Sequence, residues 1–199
     1  MLNISFVSKD IETVETIFVM VNHQGKMDSE TTLLDNKHHG LISKTLQDKQ
    51  KFKGKYGQAI NLTTTNKQGE IRNIVIICIG DETKLSTPAH VEVLGGKIHG
   101  IATKLRAKLA ALVINTDVGN YKRNRFAALI ASGALLGSYR FEKYHTKKTE
   151  EQKFITEDLE IITEDIKDAE TAFIERKAIA MGVFLARDCV NEAPNHFYP

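Results

Sequence analysis

The sequence has few of the features that mark secreted, disulfide-linked or membrane-spanning proteins. Only two cysteines occur, Cys78 within an apolar run and Cys189 near the end of a predicted helix. We interpret both as buried free thiols. The longest apolar run, Ile74 to Ile79, is far shorter than the roughly 20 residues that a membrane span needs, and no signal peptide follows Met1. We therefore expect a cytoplasmic protein without a membrane partner.

A strong net charge is also missing. The formal charge is +2, and 42% of the 199 residues are hydrophobic, which is typical of one well-cored soluble domain. Basic residues gather at 104–108, at 122–125 and at 147–148. Acidic residues interrupt these clusters and few aromatic residues accompany them, so a solvated rim is favoured over a nucleic-acid surface. Nucleic acid stays open as a weak alternative partner.

Apolar periodicity predicts strands and helices that alternate along most of the chain. The predicted strands are 2–6, 16–21, 58–62, 71–79, 110–114 and 159–162, and the predicted helices are 41–46, 88–105, 126–141 and 166–189. The third and fourth strands form a hairpin, and residues 22–37 are interpreted as a polar connection. This order predicts an α/β fold, a three-layer α/β/α sandwich around a mixed sheet.

The last predicted helix has a regular apolar stripe. Its residues recur at helical spacing, which keeps one face of the helix apolar over four turns. They are Ile174, Ala178, Met181, Leu185 and Cys189.

No pattern of catalytic, cofactor-binding or metal-ligating residues is found. Gly96 and Gly100, like Gly133 and Gly137, lie four apart within helical patterns, which favours close helix packing over a phosphate loop. His90 and His99 fall on opposite sides of a helix and have no ligand partners at suitable spacing, so a histidine metal site is disfavoured. Nucleophile motifs are absent as well.

The final stretch, 184–199, is predicted to be a junction. A helical pattern runs into a segment that carries an Arg-Asp pair, two asparagines and two prolines, all of which suit contacts with a further domain. Its structural residues are Arg187, Asp188, Asn191, Pro194 and Asn195. We expect further polypeptide after Pro199.

Two segments resemble the leucyl (cytosol) aminopeptidases. Gly133-Ala-Leu-Leu-Gly-Ser-Tyr-Arg-Phe-Glu-Lys-Tyr144 is similar to a stretch late in the N-terminal half of that family, and Ala186-Arg-Asp-Cys-Val-Asn-Glu-Ala-Pro-Asn195 resembles its interdomain signature. Cys189 stands where leucine is common, and Ala193 where proline or a small residue is common. The resemblance covers nearly the whole chain and implies a macro-domain-like fold.

The resemblance implies a division of the parent enzyme into two parts. Residues 1–165 would form the macro-like N-terminal domain, and 166–199 the interdomain helix and the start of a linker. A catalytic domain beyond this chain would bind two divalent metals, Zn²⁺ or Mn²⁺, and would remove N-terminal residues, leucine preferred, from peptides within a hexamer. This chain itself would be inactive and would serve packing, assembly or access.

Two alternatives bear on this interpretation. Asn115-Thr-Asp-Val-Gly-Asn120 echoes a metal-binding motif of the family's catalytic half, but it lacks the glutamate and arginine of that motif and precedes the junction. A single Asp117 cannot supply the oxygen ligands that two metals require. The rival hypothesis is a macro-like binding module for an ADP-ribose-type nucleotide or for nucleic acid.

Overall fold

The computed structural model describes residues 1–9, 14–65, 69–144, 147 and 156–193. Within them lie six strands and five helices. The strands are β1 (Asn3–Val7), β2 (Thr16–Val21), β3 (Ala59–Thr65), β4 (Ile71–Cys78), β5 (Leu109–Val113) and β6 (Asp158–Ile162). The helices are α1 (Ser29–Lys37), α2 (Leu41–Gln47), α3 (Pro88–Lys104), α4 (Arg123–Gly137) and α5 (Ile166–Asn191). All six predicted strands are confirmed.

The strands form one mixed sheet in the order β1-β6-β5-β2-β4-β3. Every neighbouring pair is parallel except β3 with β4, which pair antiparallel with Ala59 opposite Ile77 and Thr65 opposite Ile71. The predicted hairpin is therefore confirmed, while its turn, residues 66–68, lies outside the described residues. Because antiparallel partners can be joined by a short loop, β3 takes the edge without a crossover.

Helices cover both faces of the sheet. The central strand β4 is apolar on both sides: Val75 and Ile77 pack in the cluster that includes α3, α4 and α5, whereas Ile74 and Ile76 pack in the cluster of α1 and α2. Successive side chains of a strand point to opposite faces, so a continuous apolar run suits a strand buried on both sides. The predicted three-layer sandwich is confirmed.

The backbones of α3 and α4 touch through glycines. A Cβ on Gly133 would lie 1.8 Å from the carbonyl oxygen of Glu92, and one on Gly95 would lie 2.0 Å from that of Ile130. Gly137 faces the Cα of Gly96 in the same way, at 2.9 Å. The close packing predicted for Gly96, Gly133 and Gly137 is confirmed. It is wrong for Gly100, where a Cβ would meet nothing within 4 Å.

The polar connection predicted over 22–37 is wrong in its second half, where α1 forms. The Asp28 carboxylate accepts a hydrogen bond of 2.7 Å from the backbone N–H of Thr31, which caps the helix start. Of its two leucines only Leu34 is buried, and Leu33 is exposed. So narrow an apolar stripe gives little periodic signal. Helix α4 likewise begins at Arg123 and ends at Gly137, earlier than the predicted 126–141 at both ends.

The apolar stripe predicted for the last helix faces away from the domain. The residues of α5 that are buried are Ala169, Phe173, Ala180 and Phe184. Ile174 and Leu185 are 69% and 66% exposed, Met181 is also exposed, and Cys189 is only partly buried. Two aromatic rings decide the orientation, because Phe173 packs against Phe6 and Phe184 against Tyr139 at 5.7 and 5.2 Å between ring centroids.

Candidate functional site

Three of the predicted junction residues meet at one tyrosine, Tyr139, which follows α4. Its hydroxyl donates to the Asp188 carboxylate at 2.6 Å and accepts from the Asn191 side-chain amide at 3.2 Å. The Arg187 guanidinium lies 3.9 Å from the centroid of the Tyr139 ring, in a cation–π arrangement. Pro194 and Asn195 lie outside the described residues.

Helix spacing brings these groups to one side of α5. Asp188 and Asn191 are three residues apart, and Phe184 precedes Asp188 by four, so all three project from neighbouring turns toward Tyr139. Phe184 packs on the ring of Tyr139 while Asp188 and Asn191 bond its hydroxyl. Burial, and then the hydrogen bond with Asp188, raise the pKa of Tyr139, which keeps the hydroxyl protonated as a donor.

A second set of contacts holds the residue after the helix. Lys143 pairs with the Glu192 carboxylate at 2.8 Å, and the Tyr144 hydroxyl donates to the same carboxylate. Hydrogen bonds from Lys143 and then Tyr144 lower the pKa of Glu192 to about 2. We call the seven residues that hold this end of α5 the C-terminal latch. They are Tyr139, Lys143, Tyr144, Arg187, Asp188, Asn191 and Glu192.

The other end of α5 is tied to the same partner helix. Arg123, the first residue of α4, donates from Nε and Nη2 to the Asp165 carboxylate at 2.5 and 3.1 Å. Asp165 immediately precedes α5. Because such a fork fixes both the distance and the plane of the two groups, α4 and α5 are joined at both ends, by Arg123 at one and by Tyr139 at the other.

The latch joins the two segments that carry the family resemblance. Tyr139, Lys143 and Tyr144 belong to the first segment, and Arg187 to Glu192 belong to the second. Sequence reasoning identifies Arg187, Asp188 and Asn191 but not their partners, because residues about fifty positions apart have no spacing rule that connects them. One signal in the sequence could have linked the two sets of residues, because both segments are unusually rich in polar and aromatic side chains.

The carboxyl edge of the sheet is the place where an open α/β fold offers a ligand crevice. A crevice of about 150 Å³ at the ends of β2, β4 and β5 is lined by Asp28, Glu82 and Asp117. The nearby cation Lys122 is paired with Asp117 at 2.8 Å, and Arg123 with Asp165. Lys26 also lines the crevice, so this edge presents three carboxylates beside one further cation. This excess of negative charge does not favour binding of a phosphate.

Asp117 has a local structural role. Its carboxylate accepts from Lys122 and from the backbone N–H of Arg123, and these bonds lower its pKa. It closes the loop between β5 and α4. Elsewhere in the basic clusters, Lys108 pairs with Glu157 at 3.3 Å.

The described residues contain neither a membrane-spanning helix nor a cluster of metal ligands. None of the helices there is long and apolar enough to cross a membrane. Across 1–9, 14–65, 69–144, 147 and 156–193, no three His, Cys, Asp or Glu side chains are placed to hold one metal ion. His99 is buried and His90 exposed, as expected for opposite sides of α3.

The chain matches known proteins in sequence and in structure. Residues 17–148 match the model of the cytosol aminopeptidase family, N-terminal domain. Probable cytosol aminopeptidases of Rickettsia massiliae and Rickettsia felis are 43% identical over 195 and 197 residues, which is 98% of this chain and 39% of those proteins. The chain thus spans about two-fifths of the length of these relatives.

Solved structures share the fold. A mutant of tomato leucine aminopeptidase superposes with a TM-score of 0.76 at 21% identity, over 100% of this chain and 40% of that one. The bottromycin maturation enzyme BotP superposes with a TM-score of 0.60 at 17% identity, over 92% of this chain and 34% of that one. The expected resemblance is confirmed, since the family model covers most of the sheet and its helices. The chain belongs to the cytosol aminopeptidase family and carries the N-terminal domain of that family.

Proposed function

We propose that this chain is the non-catalytic N-terminal domain of a longer leucyl aminopeptidase. Residues 1–165 form the domain, and 166–199 lead from it into a C-terminal catalytic domain. The observation that carries the proposal is the match to an N-terminal domain model, in relatives of which the chain spans only 39%. The C-terminal latch supports it, because it fixes the direction in which the chain leaves the domain.

The whole protein would remove N-terminal residues, leucine preferred, from peptides in the cytoplasm. The names of the relatives support this activity, and one structure of BotP is named as a complex with Mn. Two divalent metals, Zn²⁺ or Mn²⁺, would be bound by the catalytic domain, where they would activate a water molecule for peptide hydrolysis. The oligomer would be a hexamer, as the family resemblance implies.

The N-terminal domain would act by setting the orientation of the domain that follows it. With α5 tied to α4 at both ends, the helix is a rigid arm whose last turn is held by the latch. A rigid connection sets how the next domain is oriented, whereas a flexible linker would leave the two domains free to move. Packing, assembly and access to the active site are functions that suit such an arm.

Two measurements test this proposal. The gene should continue past Pro199 into a catalytic half, and the full-length protein should hydrolyse leucine p-nitroanilide only with divalent metal. Residues 1–199 alone should show no metal-dependent turnover. A stop codon directly after Pro199, or peptidase activity in residues 1–199, would contradict the proposal.

A further inference from the structure

The outward face of α5 is unusually apolar for a surface. We define this face by six exposed residues, Ile174, Ile179, Met181, Val183, Leu185 and Val190. Their exposed fractions run from 37% at Val183 to 85% at Val190. A contiguous apolar patch of this kind marks an interaction surface in a soluble protein.

The outward side of α5 is less polar than the solvent side of an ordinary surface helix. Viewed down the helix axis, with 100° between successive residues, the outward side of α5 is an arc of about 200° whose two edges are marked by Met181 and Val183. Between positions 174 and 190, this arc contains one charged residue, Glu175. A surface helix normally directs its polar side to solvent, and one that is apolar on both sides is buried on both.

Contacts with the domain prevent α5 from rotating this face inward. Arg176 pairs with Glu92 of α3 at 3.4 Å, and Arg187 and Asp188 are held by Tyr139. On the same side Phe184 is buried against the Tyr139 ring. The inward side is therefore already occupied by specific partners, so the outward apolar side has to be covered by something else.

A glycine on the exposed arc also indicates a missing neighbour. Gly182 lies in the middle of α5, where glycine costs roughly 1 kcal/mol relative to alanine. A Cβ at this position would meet nothing within 4 Å, so the domain itself gives no reason for glycine here. Ala178 and Ala186 flank it at four-residue spacing, which leaves a shallow channel between the larger residues of the outward face.

We propose that the outward face of α5 is covered by the catalytic domain that follows it in the same polypeptide. This inference rests on the proposed function. Helix α5 ends at Asn191, and about three-fifths of the length of the relatives lies outside the part that this chain matches. A domain joined directly to the end of the helix is held at a high effective concentration beside it. The latch keeps that end in place.

Cysteine labelling in the full-length protein tests the coverage. Leu185→Cys and Met181→Cys, each made in a Cys189→Ser background, report on the outward face. Val93→Cys is the matched control, because Val93 is 60% exposed on α3 and lies outside the outward face. Relative to their rates in the unfolded chain, the two α5 thiols should react with a maleimide on the order of tenfold or more slowly than the control thiol.

Dilution distinguishes the two possible partners of the outward face, which are the catalytic domain of the same chain and a second copy of the protein. Protection that persists at concentrations where the protein is monomeric supports the catalytic domain of the same chain, whereas protection lost on dilution assigns the face to a second copy and overturns the inference. Equal labelling at all three positions also overturns it. If the same preparation shows metal-dependent aminopeptidase activity while Leu185→Cys reacts freely, the proposed function stands and only this inference fails.

Discussion

Helix α4 packs against α3 on one side and against α5 on the other, and the two interfaces differ in whether the partner helix keeps an exposed apolar face. Toward α3 the contact is between backbones, with Gly133 against the Glu92 carbonyl and Gly95 against that of Ile130. Toward α5 the contact is between side chains, with Phe184 buried and polar ties at both ends. The α3 interface is complete within this chain. Helix α5 is packed on one side only and presents an apolar face to solvent on the other.

The difference indicates that α3 and α5 have different roles. Close backbone packing leaves no room for adjustment, which suits a permanent core. A helix that is latched at its ends and apolar on its outer side is built to be covered by a further element. Substitutions on the two sides of α4 should therefore have different effects, and the comparison can be tested at chosen positions.

The largest effect is expected at the α3–α4 contact. Gly133→Ala places a Cβ 1.8 Å from the Glu92 carbonyl oxygen, so the helices must separate. Because neither backbone can yield cheaply, the free energy of unfolding should fall by at least about 3 kcal/mol. Urea denaturation of residues 1–199, followed by circular dichroism, measures this loss.

Gly100→Ala is the control for that substitution. Its Cβ would meet nothing within 4 Å, so relief of the helix penalty of glycine should raise stability by up to about 1 kcal/mol. A Gly133→Ala protein as stable as the Gly100→Ala protein would show that α3 and α4 are not in backbone contact.

The next effect compares the inward and outward sides of α5. Phe184→Ala removes a buried ring at the margin of the domain and should cost about 2–3 kcal/mol in residues 1–199. Leu185→Ala, one position along, removes a side chain that is 66% exposed and should change stability by less than ~0.5 kcal/mol. Equal losses from the two substitutions would contradict the orientation of α5.

The same pair sharpens the comparison when it is placed in the full-length protein. If the catalytic domain covers the outward face, Leu185→Ala should become distinctly destabilising there, because it then leaves a cavity between two domains. Thermal unfolding of the full-length protein with each substitution provides the measurement.

Sequence reasoning reached the fold and only part of the site. Alternation of apolar residues is a direct consequence of burial on one face of a strand, so β1 to β6 could be located. Helix α1 could not, because it buries Leu34 and exposes Leu33. The glycines of α3 and α4 indicate close helix packing, because four-residue spacing in a helix puts small residues on one face.

Helix α5 shows why periodicity can mislead. The regular stripe from Ile174 to Cys189 is real, but periodicity identifies an apolar face without saying what covers it. The inward side is fixed by Phe173 and Phe184, which are fewer but larger. Likewise, the sequence identifies Arg187, Asp188 and Asn191 as structural residues, whereas their partner Tyr139 depends on how α4 and α5 pack, which no local spacing encodes.

The smallest effect is expected from His99, a polar group enclosed on the core side of α3. It is 6% exposed and its Nε2 has no hydrogen-bond partner. Burial, and secondarily the charge of Arg140, lower the pKa of His99 from its ordinary value of 6.5. The unfolded chain therefore binds this proton more tightly, and the free energy of unfolding should decline as the pH falls below about 6.5, with no contribution above it.

Replacing His99 should remove that part of the pH dependence. Urea denaturation of residues 1–199 and of the His99→Gln variant, at about pH 7.5 and about pH 5.5, compares the two losses of stability on acidification. The variant should lose less stability than the natural sequence, whatever its own stability at the higher pH. Parallel losses would mean that His99 is protonated as readily in the fold as in the unfolded chain. The α3 side of the domain would then have to open to water, which would remove the contrast between a closed α3 interface and a half-covered α5.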